Sequence, residues 1–379
     1  MKKVVMFAGP VHEIPPLKGA AVETWMYEVS KRIIKYQTHI ISIDFGYYPL
    51  KEFQEGVYFH RVRFSRIYKR IFQKILGWDV MSYNKRVFNL IKEINPDIVH
   101  IHNYYRSFEV VNWLREFNPD IKIILHMHNE TDKFKRGYPE VDAFFGCSNY
   151  IVEKYKSLIN TPYFQTIYNG VDMEVVEKTK KYESIIKNAY KKENEINVCY
   201  FGRISPEKGV EKFIKLVNEM KDYKNYKFHL FGEISTRGDR NDFYKKLLNF
   251  VKENDLNVNF YDYIPPHKIH YAYEIADFIV VPSEFEEPFG MVALEALAHG
   301  KFLIASYKGG MKEFVNEKNA FVIKDYDNFE KKAKEILLNY ENLDKTVLQN
   351  AYETAKKFDW MNIALKVEGE YDKIDKFKG

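Results

Sequence analysis

Apolar and polar residues alternate along the chain in two rhythms. Short β-branched or aromatic runs end in polar residues, and between them lie longer stretches whose apolar positions recur every three or four residues. KKVVMFA is followed by AVETWMYEVSKRIIKY and then THIISID, which predicts strand, helix, strand. NKRVFNLIKEIN leads into DIVHIHN, VVNWLREFN leads into KIILHMHN, and DAFFGCS follows. Repeated strand–helix–strand units predict a parallel sheet, since parallel neighbours need a crossover long enough to hold a helix. After a charged segment, EKTKKYESIIKNAYKKENE, a second series opens with INVCYFGRI, YKFHLFGE, VNFYDYI, DFIVVPS and KFLIASY. That charged segment reads equally as a solvated helix or as linker. The expectation is an α/β chain of two Rossmann-like, doubly wound domains, residues 1–170 and 171–361. The closing WMNIALKVEGEYDKIDKF has helical apolar spacing, so a helix over 362–379 is expected to pack back on the first domain.

Length and composition agree with two domains, because 379 residues exceed one ordinary core. No apolar run approaches the roughly 18 residues of a membrane span, and the apolar start is too short for a signal peptide. A soluble, cytoplasmic chain is expected. Cys147 and Cys199 lie in apolar runs and are expected as buried core thiols. The 58 Lys and Arg against 53 Asp and Glu are too mild an excess to imply nucleic acid. Their distribution is uneven: residues 1–170 carry 24 basic and 17 acidic residues, and residues 171–379 carry 34 and 36. Much of the excess sits in RVRFSRIYKRIFQK, residues 61–74, where Ile67, Ile71 and Ile75 fall opposite Arg66, Lys69, Arg70 and Lys74 at helical spacing. Two expectations stand side by side. One is peripheral contact of residues 61–75 with an anionic membrane or an anionic lipid-linked acceptor. The other is a packed helix with a solvated basic face.

Candidate chemistry concentrates in a few windows. PSEFEEPFGMVALEALAHG separates Glu287 from Glu295 by seven residues, with a Pro-Phe-Gly turn between them. This places Glu287 in the turn and Glu295 within the helix that follows, whose free N–H groups suit a phosphate or sugar oxygen. The plainer alternative is an amphipathic helix with two exposed acids. In FGRISPEKGVEKFIKLV a buried strand delivers Arg203, and Lys208 follows before a helix; two cations at such a turn suit a diphosphate. A surface cation pair is the alternative. In YKGGMKEFVNE, Gly309 and Gly310 follow a strand and permit close backbone approach. GPVHEIPPLKGAAVETW places Gly19 before the first helix without the GxGxxG pattern of nicotinamide binding. The pairs His100/His102 and His126/His128 each face one side of a strand. No third or fourth ligand is recognisable at a diagnostic spacing, so no metal site is expected there. A single histidine acting by hydrogen bonding at a strand end is expected instead. Asp325 and Asp327 are expected to cap the helix after them.

In this order and spacing, PDIVHIHN, HMHN, GCSN, the Asn169-Gly170-Val171-Asp172 stretch, GRISPEKG, HLFGE, DFIVVPS, EPFGMVALEALAHGK, the Gly-Gly pair and a late FDW resemble the family-4 retaining glycosyltransferases of the GT-B fold. The resemblance implies two Rossmann-like domains facing each other across a cleft. It implies a hexose-type sugar moved from a nucleotide-diphosphate sugar to a glycan, lipid-linked or other acceptor, with no cofactor, no metal and no nucleic acid, as in cell-surface polysaccharide synthesis. Arg203 and Lys208 would grip the diphosphate, Glu287 the sugar hydroxyls and Glu295 the ribose hydroxyls. Gly19, Gly232, Ile264, Phe289, Gly290, Met291, Gly309 and Gly310 would complete the donor site. His128 matches the active-site histidine. Where the family often has Gly-Gly before the first helix this chain has Gly19-Ala20. The alternatives are a GT-B-like sugar-nucleotide epimerase and a non-catalytic glycan-binding or assembly protein.

Overall fold

The computed structural model describes residues 1–64, 82–134, 137–190, 192, 194–232 and 239–376. The chain forms two compact units, one from Met1–Asn169 together with the stretch from Trp360, the other from Gly170–Asp359.

The first unit is built on β1 (Lys3–Ala8), β2 (Gln37–Ile43), β3 (Lys51–Gln54), β4 (Val57–Val62), β5 (Ile98–His102), β6 (Lys122–Met127), β7 (Ala143–Gly146) and β8 (Phe164–Thr166). They lie in the order β3-β4-β2-β1-β5-β6-β7-β8. Every pairing is parallel except the β3–β4 hairpin. β5 is buried at all its positions, as expected of a strand covered on both faces. The covering helices are α1 (Ala21–Ser30), α2 (Tyr83–Ile94), α3 (Phe108–Phe117) and α4 (Asn149–Tyr155). Ser82 and Ser148 cap α2 and α4 by accepting the N–H of Lys85 and Ile151. The C-terminal helix, Trp360–Lys376, buries Trp360, Ile363, Ala364, Val367, Tyr371 and Ile374 in the same core as Trp25, Met26 and Val29 of α1. Glu368 anchors it by accepting the N–H of Ile34 at 2.6 Å and of Lys35 at 2.8 Å.

The second unit has β9 (Ile196–Phe201), β10 (Tyr226–Phe231), β11 (Val258–Tyr261), β12 (Phe278–Val281), β13 (Phe302–Ser306) and β14 (Phe321–Ile323). Their order is β11-β10-β9-β12-β13-β14, parallel throughout. Around it lie α5 (Met173–Lys180), α6 (Glu183–Tyr190), α7 (Val210–Glu219), α8 (Asp239–Glu253), α9 (Pro266–Tyr273), α10 (Met291–Ala298), α11 (Phe329–Leu338) and α12 (Thr346–Lys356). The charged segment contains the end of α5 and all of α6. α6 buries none of its residues, and its charges pair with the sheet side: Glu183 with Lys301 at 2.7 Å, and Lys187 with Asp277 at 3.4 Å.

Three expectations change. Neither Asp325 nor Asp327 caps α11: Asn328 holds the cap position without a side-chain bond, and the Asp325 carboxylate accepts the Asn328 amide at 2.9 Å. Arg61 is not part of a solvated basic face. It lies in β4, buried, with its guanidinium donating to Pro49 O at 2.7 Å, Ile14 O at 2.8 Å and Glu52 at 3.0 Å. Residues 65–75 of that basic stretch lie outside the described residues, so the membrane expectation rests on no structural observation. Third, β3, β4, β8 and β14 extend the sheets beyond the strands that periodicity picks out. Cys147 and Cys199 are fully buried and form no disulfide. Among the described residues no helix is long and apolar enough to cross a membrane.

Candidate active site

In the second unit the strand-to-helix turns after β9 and β12 are pressed together backbone to backbone. Gly209 ends the Pro206–Lys208 turn with φ at 67°, and a Cβ there would lie 1.7 Å from the Pro282 carbonyl oxygen. Only glycine satisfies both the left-handed conformation and the space. The close approach sets Lys208 against Glu287, with Nζ 2.8 and 3.0 Å from the two carboxylate oxygens. Ser283 Oγ donates to the same carboxylate at 2.5 Å. Glu287 is 5% exposed, so the alternative of two exposed acids on a surface helix fails at this position. The Lys208 ammonium also sits 4.7 Å from the Phe285 ring centroid, a cation–π contact.

The turn that carries Glu287 is held by the Gly-Gly segment after β13. Gly310 N–H donates to Glu287 O at 2.6 Å, and Gly309 N–H donates to the Glu286 carboxylate. A Cβ on Gly309 would lie 2.1 Å from Glu287 O. Gly290 starts α10 in the left-handed region, with φ at 105°, where a Cβ would meet the Met311 side chain at 2.3 Å. Met291 is the first helical residue and is half-buried, while Phe289 packs into the core beside Phe314. Gly290 offers no capping side chain to the first N–H groups of α10.

Glu295 lies within α10, partly buried, and accepts a hydrogen bond from Tyr273 OH at 2.5 Å. Burial pushes its carboxyl up to about 7, and the Tyr273 bond pulls weakly the other way. Tyr273 is itself fixed between Phe201, 4.2 Å away and 14° from coplanar, and His299 at 5.0 Å. Arg203 is exposed and lies 3.8 Å from Glu207, apart from the Lys208–Glu287 pair. Gly232 follows β10, donates to Tyr261 O at 3.2 Å and would clash with Gly202 O if it bore a Cβ. Ile264 is half-buried in the loop after β11. The structure thus joins Lys208, Glu287, Phe289, Gly290, Met291, Gly309 and Gly310, leaves Arg203 on the rim, and adds two groups the sequence reading missed. Ser283 lies four residues before Glu287 in the same sequence window, but nothing in that spacing marks its hydroxyl as the carboxylate's donor. Tyr273 gave no signal, since it comes from α9.

In the first unit, Gly19 stands in open surroundings and Ala20 begins α1 without a side-chain cap. His128 directly follows β6 and is 6% exposed. Its Nδ1 lies 3.3 Å from Asn169 Oδ1, its Nε2 lies 3.1 Å from His102 Nδ1, and its N–H donates to Asn103 at 2.8 Å. Burial pushes its pKa down to about 4, so the ring is neutral at neutral pH and suits hydrogen bonding, not proton donation. The two histidine pairs, for which no third ligand was recognisable by spacing, meet: β5 and β6 are neighbours, and His100, His102 and His126 each present a ring nitrogen within 4.8 Å of the others.

Family models match both units, "Glycosyltransferase Family 4" over residues 22–175 and "Glycosyl transferases group 1" over residues 181–354. The chain is 30% identical to the lipopolysaccharide 1,2-N-acetylglucosaminetransferase of Salmonella typhimurium, with 97% of each chain covered. It is 22% identical to spore coat protein SA of Bacillus subtilis over 98% of this chain and 99% of that one. Among solved structures it resembles sucrose-phosphate synthase from Thermosynechococcus elongatus, with a TM-score of 0.78 at 17% identity, covering 98% and 99% of the two chains. Anabaena HepE in complex with UDP and glucose matches with a TM-score of 0.73 at 18% identity, covering 98% and 100%. With relatives matched from end to end, the two parallel α/β units and the motifs at their strand ends make this chain a member of the family-4 glycosyltransferases of the GT-B fold.

Proposed function

We propose that this glycosyltransferase moves a hexose-type sugar from a nucleotide-diphosphate sugar, with retention of configuration and without a metal in the reaction, to a glycan or lipid-linked acceptor of surface polysaccharide synthesis. The observation that carries the reading is the buried Glu287 held by Lys208 and Ser283 at adjoining strand ends. A carboxylate fixed this way accepts sugar hydroxyls, while the ammonium beside it is the charge a leaving diphosphate needs. Arg203, exposed on the same turn beside Glu207, would leave that carboxylate for the diphosphate's outer oxygens. Glu295 receives the ribose hydroxyls, and the first N–H groups of α10 face phosphate or sugar oxygens. His128, whose ring nitrogens face His102 and Asn169, would meet a hydroxyl of the transferred sugar by giving up one of those two bonds. The bond between the anomeric carbon and the phosphate oxygen breaks while the acceptor oxygen bonds the same face of that carbon. The acceptor's proton passes to the leaving phosphate. No carboxylate is needed as covalent nucleophile, and the protein supplies position and charge.

The acceptor class is supported by the lipopolysaccharide enzyme among the relatives. The chain carries Arg203, Lys208, Glu287 and Glu295 in the quoted motifs, which favours neither an epimerase nor a non-catalytic protein. A thermal-shift screen over nucleotide sugars tests the donor: one nucleotide series raises Tm in proportion to the logarithm of its concentration. Proton NMR of the first product then shows the donor's anomeric configuration, at a rate that added Mg2+ or Mn2+ leaves unchanged. An inverted product, or strict dependence on those cations, contradicts the proposal.

A further inference from the structure

The first unit carries a group of side chains that the transfer reaction does not use. In the register of the parallel β5–β6 pair His102 stands opposite His126, and residues two apart share a face, so His100, His102, His126 and His128 all project to the same side of the sheet. That side is the apolar core, where Met6, Ile124 and Trp25 pack. His100, His102 and His126 are completely buried. Trp25 walls all four imidazoles, its ring centroid 4.8 to 5.7 Å from theirs.

The hydrogen bonds leave a specific imbalance. Asn169 presents its Oδ1 to His128 Nδ1, so that nitrogen carries the proton and His128 Nε2 is an acceptor. His102 Nδ1, 3.1 Å away, must then be the donor, and a neutral His102 has a bare lone pair on Nε2. Among the described residues no hydrogen-bond donor reaches that atom. His100 is bonded through Nδ1 to Tyr371 OH at 2.7 Å and its Nε2 is likewise unpartnered. Both His126 nitrogens lack a hydrogen bond, the backbone of Ile167 lying close but outside bonding geometry. Buried polar atoms are ordinarily paired; with the His100 and His102 Nδ1 atoms as donors, each of the three adjoining imidazoles keeps one unpartnered lone pair, which an ion that accepts lone pairs would satisfy.

We propose that His100, His102 and His126 bind a transition-metal ion that prefers nitrogen ligands, as a structural site in the core of the first unit. Each offers a ring nitrogen within 4.8 Å of the other two. Zn–imidazole bonds of about 2.0–2.1 Å draw three such nitrogens together with ring movements of less than about 1 Å. Among the described residues no carboxylate or thiolate joins the set, which excludes the hard oxygen-seeking cations Mg2+ and Ca2+ and leaves Zn2+ and its d-block neighbours. Burial keeps all three rings neutral, the form that ligates. The ligands' other nitrogens are held as well: His102 donates its Nδ1 proton to His128, and His100 is tied to Tyr371 of the C-terminal helix. An ion on His102 Nε2 therefore fixes the His128 tautomer. The site lies in the first unit and borders His128, and its existence does not depend on the proposed reaction.

The test uses the untagged full-length chain expressed in Zn2+-supplemented medium, desalted, and analysed by elemental mass spectrometry and by X-ray absorption at the zinc edge. The site predicts one zinc per chain with a shell dominated by imidazole nitrogen. Reconstitution of stripped protein with Co2+ gives the visible absorption of a low-coordinate nitrogen site. H102A and H126A each weaken Zn2+ binding by at least about tenfold, read beside far-UV circular dichroism. Full zinc stoichiometry in both variants overturns the proposal. Should those variants not fold, the wild-type edge spectrum decides: a shell without imidazole, or no retained ion at micromolar free Zn2+, overturns it.

Discussion

Glu287 and Lys208 are a pair in which neither charge is comfortable alone. Their side chains are 6% and 23% exposed, so K208A leaves a buried carboxylate with Ser283 as its remaining side-chain donor, a loss of roughly 1–3 kcal/mol. Glu295 is different, since its carboxyl is raised and not lowered. Its folded-state pKa of about 7 exceeds the ordinary carboxylate value, so the folded chain holds a proton that the unfolded chain has released between about pH 4.5 and 7. Its contribution to stability is therefore present below that window and is lost as pH rises through it. E295Q, which keeps an acceptor for Tyr273, should be more stable than wild type at pH 8 by on the order of 2 kcal/mol and show little difference at pH 4. Denaturant melts at the two pH values check this, and equal gains at both contradict the assignment. The Glu-x7-Glu spacing was legible because both residues sit in one continuous turn and helix. Tyr273 and the His100–His102–His126 group were not, because their partners come from other elements and strand neighbourhood is not written in local spacing.

At the scale of elements, the apolar runs marked β1, β2, β5, β6, β7 and β9–β13 plainly, since strands covered on both faces read as continuous hydrophobic stretches. β3 escaped because KEFQ is a polar edge strand, and β8 and β14 because three residues hold no period. The segment that became α6 was undecidable from pattern, as it buries no face and is held by Glu183 and Lys187 through ion pairs. Glycines divide sharply by environment. G209A places a methyl 1.7 Å from the Pro282 carbonyl at a positive φ and should cost more than about 2 kcal/mol, together with the Lys208–Glu287 geometry. G19A, with no heavy atom within 4 Å of the new Cβ, should change stability by less than about 0.5 kcal/mol. Chemical denaturation of both variants checks the pair, and a near-neutral G209A would show that the two turns do not press together as described.

At the scale of the molecule, two parallel sheets were readable from the repeat of strand and helix, and the return of the C-terminal helix from its apolar spacing. Its anchoring was not, because Glu368 holds the Ile34 and Lys35 N–H groups more than three hundred positions away. The charge arithmetic gains meaning here. The unit that holds Lys208 and Glu287 is close to neutral in sequence, so diphosphate recognition rests on a few placed cations and helix N–H groups, while the basic excess belongs to residues 1–170. The central claim is that the Lys208, Glu287 and Glu295 constellation is the donor site. Its most direct test is calorimetric titration of the nucleotide-diphosphate sugar found by thermal shift into wild type, K208A and E295A, with transfer measured on the same samples. Wild type should bind saturably, with affinity weakened by more than about tenfold in each variant and transfer abolished while the circular dichroism stays native. Full transfer activity in either variant would contradict that claim.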